Sequence, residues 1–459
     1  MSIKSVLLAP ALLFGAAATA HAETASGLLD LTGHAAGYAA VVIFVAAYLF
    51  VIFEETTHMR KSKPVLLAAG LIWAIIGIVY AANGMSETAN EAAAHTIFEY
   101  GELFLFLLVA ITYVNTLEER RAFDVLRAEL VGLGLNYRQL FWLTGVLSFF
   151  LSAVLDNLTT SLVMSAVVIA VGRGSPRFVA LSCVNIVVAA NAGGAFSPFG
   201  DITTLMVWQK GNLSFFEFFA LFGPSAVNYV IPAALMTLAV PTDVPEPRTE
   251  WARMKPGGRG VICLFAATIA TAVCFKNFLG LQPALGMMLG LGYLQVWAYA
   301  LQVKGRRRND GDMVLDSFKE IARVEWDTLL FFFGIIFAVG GLGVIGYLGL
   351  VSQALYVGIG PTWANVAIGV LSAIVDNIPL MFAVLTMNPV MSEGQWLLIT
   401  LTAGVGGSLL SIGSAAGVAL MGQARGIYTF STHMRWTWAI ALGYGASILT
   451  HLWINSAQF

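Results

Sequence analysis

Leu151-Ser152-Ala153-Val154-Leu155-Asp156-Asn157 returns in the second half of the chain as Leu371-Ser372-Ala373-Ile374-Val375-Asp376-Asn377. Five of the seven positions are identical, and the other two exchange one aliphatic side chain for another. Each copy lies in the middle of a long apolar run, 139–172 and 361–388. The Asp-Asn pair cuts each run into halves of roughly 15 residues, too short for a straight crossing that needs roughly 20. Both runs are therefore predicted to be re-entrant hairpins that enter a membrane and return on the same side. A polar break survives at that depth only where protein or water covers it.

The composition around these motifs agrees. Of 459 residues, 58% are apolar and 11% are charged, and mean hydropathy is +0.80. Soluble domains carry roughly 25% charge. A net charge of −2 excludes nucleic-acid binding through bulk electrostatics, and so little charge excludes disorder. Cys183, Cys263 and Cys274 sit in apolar runs without a Cys-x-x-Cys spacing, so neither a zinc site nor a disulfide framework is indicated. The fold class is an all-α polytopic membrane protein. Spans are expected near 37–54, 64–83, 97–117, 177–208, 215–240, 260–278, 281–302, 326–345, 394–422 and 434–455. Residues 1–22 have a basic start at Lys4, an apolar stretch from Val6 to Ala18 and a small-x-small site at Ala20-His21-Ala22, as in a bacterial signal peptide.

Orientation follows from the basic residues. If the chain starts outside, crosses ten times and the hairpins cross zero times, all lysines and arginines except Lys4, Lys210 and Lys276 fall in inner loops. A single crossing at 139–172 would flip every later loop and destroy that bias. The expected location is the bacterial inner membrane, with the mature N-terminus and the C-terminus both periplasmic.

The linker 241–259 is charged and rich in Pro and Gly, and is expected on the cytoplasmic side. It separates a first repeat, 37–240, from a second, 260–455. Beyond the Asp-Asn motif, Gly193-Gly194-Ala195-Phe196-Ser197-Pro198-Phe199-Gly200-Asp201 aligns with Gly406-Gly407-Ser408-Leu409-Leu410-Ser411-Ile412-Gly413-Ser414. Glu102-Leu103-Phe104 aligns loosely with Asp327-Thr328-Leu329. Five crossings per half make the tandem copies opposite in orientation. Each inverted-topology repeat then has one re-entrant hairpin and one broken helix, the arrangement of secondary transporters.

The glycine-rich stretches should interrupt their helices near midplane, so four breaks would converge. The side chains there are acidic or neutral. Asp156, Asp201 and Asp376 are carboxylates at the breaks; Glu102 and Asp327 stand near the ends of adjoining spans. Asn157, Asn191, Asn377, Thr203, Thr204, Ser152, Ser372 and Ser411 add neutral oxygens, with Ser414 in the second break. These four motifs contain no Lys or Arg. Carboxylates with a shell of neutral oxygens suit a hard cation, with Asp156, Asp201 and Asp376 as the ligands expected to hold Na+. Desolvation and like-charge neighbours raise a carboxylate pKa, so protons would compete with the metal, and competition at one site yields exchange. No cofactor is called for beyond the transported ions, and the chain is not expected to be an enzyme.

At these residues the chain resembles the NhaD-type sodium/proton antiporters. The shared features are Ser152-x-x-x-Asp156-Asn157, Ser372-x-x-x-Asp376-Asn377, Asn191-Ala192-Gly193-Gly194, Gly200-Asp201-x-Thr203-Thr204 and Ser411-x-x-Ser414. The resemblance implies export of Na+, and often Li+, in exchange for H+, with activity favouring alkaline pH. It implies roles for Glu102, Asp156, Asn157, Asn191, Asp201, Thr203, Thr204, Asp376 and Asn377. Ser414 stands where Asp201 stands in the first half, so binding is expected to be asymmetric. A homodimer is left open.

Plainer readings stand beside these. Asp156, Asp376 and Asp201 suit helix N-caps, Glu102 suits a paired buried charge, and the serines suit close helix approach. His95 precedes the third span; His58 and His433 fall in inner loops. The same scaffold with another cargo, arsenite or an organic anion, is the alternative transport function. A dicarboxylate would favour Ser-Asn-Thr tips and cationic help. An intramembrane aspartyl protease needs Gly-x-Gly-Asp, and Pro198-Phe199-Gly200-Asp201 lacks the first glycine.

Overall fold

The computed structural model describes residues 27–245 and 251–459; the predicted signal peptide lies outside the described residues. Those residues are helical and contain no β-strand. Among them, eight helices are long and apolar enough to cross a membrane: Ala35–Ile52, Ser62–Ala82, Ser86–Glu119, Pro176–Gly194, Glu217–Thr237, Gly258–Leu279, Pro283–Arg308 and Trp326–Ile345. The two other expected crossings are Glu393–Gly406 with Ala415–Gln423, divided by the predicted break, and Thr437–Ile454. The chain is a multi-pass membrane protein.

Local sequence explains where the helices start and stop. Asn136 and Gln139 form a reciprocal capping box at the head of Tyr137–Ser152, with Gln139 N donating to Asn136 Oδ1 at 2.9 Å and Asn136 N to Gln139 Oε1 at 3.1 Å. Ser175 precedes Pro176 and caps the next long helix. Both apolar runs with the Asp-Asn pair break as predicted, into Tyr137–Ser152 and Asn157–Val171, and into Pro361–Leu371 and Asn377–Met387.

The chain forms two compact units, each assembled from both halves of the sequence. One comprises the described residues up to Phe104, with Glu325–Ala364 and Phe382–Val390. Here Trp326–Ile345 packs against Ser62–Ala82: Trp73 Nε1 donates to Phe337 O at 2.9 Å and Tyr80 OH to Val344 O at 3.4 Å. A Cβ at Gly334 would lie 2.7 Å from the Val65 carbonyl carbon, so the helices meet where glycine leaves room. The outward faces carry exposed Leu67 and Ile78, as a lipid-facing surface requires.

The other unit comprises Leu105–Val324, Asn365–Met381 and Met391–Phe459. Its centre is two helices buried on every side, Phe178–Gly194 within Pro176–Gly194 and Gly394–Gly406 within Glu393–Gly406. Around them Phe222–Thr237 packs on Thr437–Ile454, where Gly443 leaves room for the Asn228 carbonyl. Away from this core Arg120 is fully buried at the end of Ser86–Glu119. It donates to the carbonyls of Pro256 (3.2 Å), Asp312 (2.9 Å) and Val314 (2.8 Å) and pairs with Glu119. Lys255 completes the cluster, 2.9 Å from Glu119. A buried guanidinium needs this many acceptors, and the cluster fastens the segment after the linker to its neighbours.

Candidate functional site: a carboxylate where four helix breaks meet

All four breaks contribute to one hydrogen-bond network in the second unit. Its hub is Asp201, only 5% exposed. The preceding helix ends at Gly194 and the next begins at Ile202, with Asp201 as extended N-cap (φ −147°, ψ 150°). Asp201 Oδ1 accepts from Thr203 N and Thr203 Oγ1, both at 3.0 Å. Oδ2 accepts from Asn157 Nδ2 at 2.9 Å and from Asn377 Nδ2 at 3.1 Å. The two Asn donors come from the two Asp-Asn motifs.

Asn157 Nδ2 also reaches Asn191 Oδ1 at 3.0 Å. Asn191 is fully buried and points its own amide at the second break, donating to Ser408 Oγ at 3.2 Å and Ser414 Oγ at 3.0 Å. Ser414 caps Ala415–Gln423 with nearly the backbone angles of Asp201, φ −139° and ψ 149°. The expected correspondence of Ser414 with Asp201 is thus a correspondence of shape, with a hydroxyl replacing the charge.

Glycine makes the convergence sterically feasible. A Cβ at Gly200 would lie 2.5 Å from the Ser152 carbonyl, and one at Gly413 would lie 2.7 Å from the Ser372 carbonyl. Serine hydroxyls fasten the same contacts from the other side: Ser152 Oγ donates to Ala190 O at 2.6 Å, and Ser372 Oγ to Ala403 O at 2.9 Å. Aromatic rings pack beside the first break, with Phe149 stacked on Phe196 at 5.2 Å and Phe196 edge-on to Phe222 at 5.3 Å. Lacking polar edges, they offer water no hydrogen bonds there.

The remaining predicted residues have separate places. Asp156 is half-buried and caps its helix, accepting from Thr159 N at 2.8 Å and Thr159 Oγ1 at 2.6 Å. Asp376 is half-buried, accepts from Ile378 N at 3.3 Å and directly precedes Asn377, which bonds Asp201. Thr204 Oγ1 turns to the carbonyls of Ser197 (2.8 Å) and Asp201 (2.7 Å). Ser411 Oγ faces the Met421 sulfur at 3.4 Å. Glu102 is half-buried on the part of Ser86–Glu119 that belongs to the first unit. Asp327, in that same unit, accepts from Ser62 Oγ. None of the ion pairs found among the described residues involves Asp156, Asp201 or Asp376.

Two residues join the site that sequence reasoning did not place there. Ser408 was legible only as a member of the glycine-rich break. His433, expected in an inner loop, is fully buried with Nε2 2.8 Å from the Ser408 carbonyl. A small residue after Gly-Gly was the available signal for Ser408; His433 offered none, since its partner is distant in sequence.

Comparison with known proteins gives a consistent picture. Residues 48–404 match a protein-family model described as citrate transporter. The chain is 55% identical to the Na(+)/H(+) antiporter NhaD of Halomonas elongata, over 99% of this chain and 95% of that protein. It is 55% identical to the Na(+)/H(+) antiporter NhaD of Vibrio cholerae, over 94% of each. It is 33% identical to sodium/proton antiporter 1 of Arabidopsis thaliana, over 100% of this chain and 78% of that protein.

Proposed function

The chain belongs to the NhaD-type sodium/proton antiporter family, and from that premise we propose that it exchanges Na+, and Li+ as a smaller congener, for H+ at Asp201. The observation that carries this reading is one buried carboxylate at the meeting of four helix breaks, ringed by amides and hydroxyls without a basic side chain. In the geometry described, four donor groups face Asp201: Thr203 N, Thr203 Oγ1 and two Asn amides. Donors neutralise a carboxylate but repel a cation. Rotating the Asn157 and Asn377 amides by half a turn replaces their N–H groups with oxygens. Asp201 and the two amide oxygens then make a hard-cation shell, to which the Thr203 hydroxyl adds a further oxygen.

Protonation of Asp201 removes its charge and converts one oxygen into a donor. A proton and Na+ therefore exclude each other at that atom, and exchange follows from competition. Asp376 strengthens the field at the site, while Asp156 shapes the first hairpin through its cap on Thr159.

The chain is read as an inner-membrane transporter with periplasmic termini, a cytoplasmic linker at 241–259 and two inverted repeats. The matched tethers Ser152–Ala190 and Ser372–Ala403 support the repeat. The test is fluorescence dequenching in everted vesicles with the wild-type chain. Na+-dependent dequenching is expected; its absence over the whole alkaline range rejects the reading. The match to a citrate-transporter model favours organic-anion transport as a second reading. A tricarboxylate needs cationic partners, which the network lacks, and citrate uptake into right-side-out vesicles tests it.

A further inference from the structure

We propose that His433 is a positioning residue for this site, holding the second break in the shape that presents Ser408 and Ser414 to Asn191. The proposal rests on the exchange reading and adds to it a residue from outside the four breaks. His433 lies on the short helix Phe430–Met434 and is fully buried. Its Nε2 is 2.8 Å from the Ser408 carbonyl. A carbonyl only accepts, so Nε2 carries the proton. The lone pair on Nδ1 then accepts from Tyr428 OH at 2.7 Å, and Tyr428 is itself 1% exposed. One turn later Thr437 Oγ1 donates to the adjacent carbonyl, Leu409 O, at 2.9 Å.

The two breaks show why such an outside clamp is needed. Where a helix stops, its last carbonyls lose their partners. The first break closes from within: Thr204 Oγ1 donates to the Ser197 carbonyl. With Asp201 aligned to Ser414, the counterpart of Thr204 is Gly417, which has no hydroxyl. A side chain there would collide with the Ser411 carbonyl. The second break therefore has no hydroxyl matching Thr204, and it is held instead at the two carbonyls just before the counterpart of Ser197, those of Ser408 and Leu409, by His433 and Thr437 from the following segment. Ser408 is the link to the site, since its hydroxyl accepts from Asn191, which in turn accepts from Asn157 beside Asp201.

The experiment measures Na+-dependent dequenching across a sodium titration for wild type, His433→Leu, His433→Gln and Thr437→Val, with membrane abundance checked. Glutamine places an N–H donor where imidazole Nε2 stood; leucine does not. His433→Leu is expected to raise the apparent KM for Na+ roughly tenfold, the equivalent of about one buried hydrogen bond, with maximal rate per transporter within about twofold of wild type. His433→Gln should restore KM to within roughly threefold of wild type. Thr437→Val, which leaves His433 in place, should raise KM roughly threefold and carries the test should His433→Leu not accumulate. Unchanged KM in these variants, or glutamine as impaired as leucine, overturns the proposal while wild-type exchange leaves the reading of Asp201 standing. A wild type without sodium response removes both.

Discussion

Replacing Asp201 with Asn separates the two tasks of that side chain, because it keeps the shape and removes the charge. Asn caps helices about as well as Asp, so Oδ1 continues to accept from Thr203 N and Oγ1. The new Nδ2 faces the amide nitrogens of Asn157 and Asn377, 2.9 and 3.1 Å from the oxygen it replaces. Donor would meet donor, and half-turns of the two amides relieve both conflicts. The Asn157 turn gives up its bond to Asn191 Oδ1, a loss of about 1 kcal/mol. Total destabilisation should be about 1–2 kcal/mol, so the variant should reach the membrane and unfold within a few degrees of wild type in detergent.

Transport should respond differently. A unit charge about 4 Å from a bound cation contributes about 4 kcal/mol at an effective dielectric of ~20, about a thousandfold in affinity. Asn also has no proton to exchange. Everted vesicles containing Asp201→Asn should show no Na+-dependent dequenching at any pH, although the protein is present at wild-type abundance. A sodium response within about threefold of wild type would refute the assignment of Asp201 as the exchanging group.

Competition at one carboxylate predicts that the apparent KM for Na+ rises as pH falls, by at most about tenfold per unit below the pKa of the site, with unchanged maximal rate; a pH effect on maximal rate alone contradicts it. Adding Na+ to detergent-solubilised protein should release protons, measured with an indicator dye in weak buffer, and Asp201→Asn should abolish that release. Asn377→Leu removes one amide from Asp201 and one oxygen from the proposed shell, so KM for Na+ should rise about tenfold or more, as read in the same vesicle assay. Gly413→Ala places a methyl against the Ser372 and Ala373 carbonyls; neither is the end of a flexible side chain, so the variant should lose both activity and thermal stability in detergent, and wild-type behaviour would show that the two segments are less tightly apposed.

Much of this was readable from the chain alone because it depends on local chemistry. Asp-Asn in an apolar run marks a break and a cap, and the helices stop at Ser152 and begin again at Asn157. Gly-Gly followed by Asp201 or Ser414 marks the other breaks, and glycine is present because two backbones touch there. The acidic character of the motifs, with no basic residue among them, was equally plain and carried the expectation of a cation. Helix termination and capping depend on a few consecutive residues, so a sequence encodes them directly.

The partner of each polar side chain was not encoded in that way. Ser152, Ser372, Ser411 and Thr204 looked equivalent to Thr203 and Ser414 as oxygen donors. Three of them instead bond to backbone carbonyls, and the fourth turns to a sulfur. Asp156 and Asp201 were equal candidates, yet Asp156 serves Thr159 while Asp201 gathers asparagines from both halves of the chain. His433 gave no signal, because its value lies in a carbonyl that a distant break left bare. The sequence determined where the helices break and that negative charge stands at the breaks. Tertiary structure alone decided which carboxylate became the hub, since a buried polar group bonds to whatever unpaired donor or acceptor the fold brings within about 3 Å.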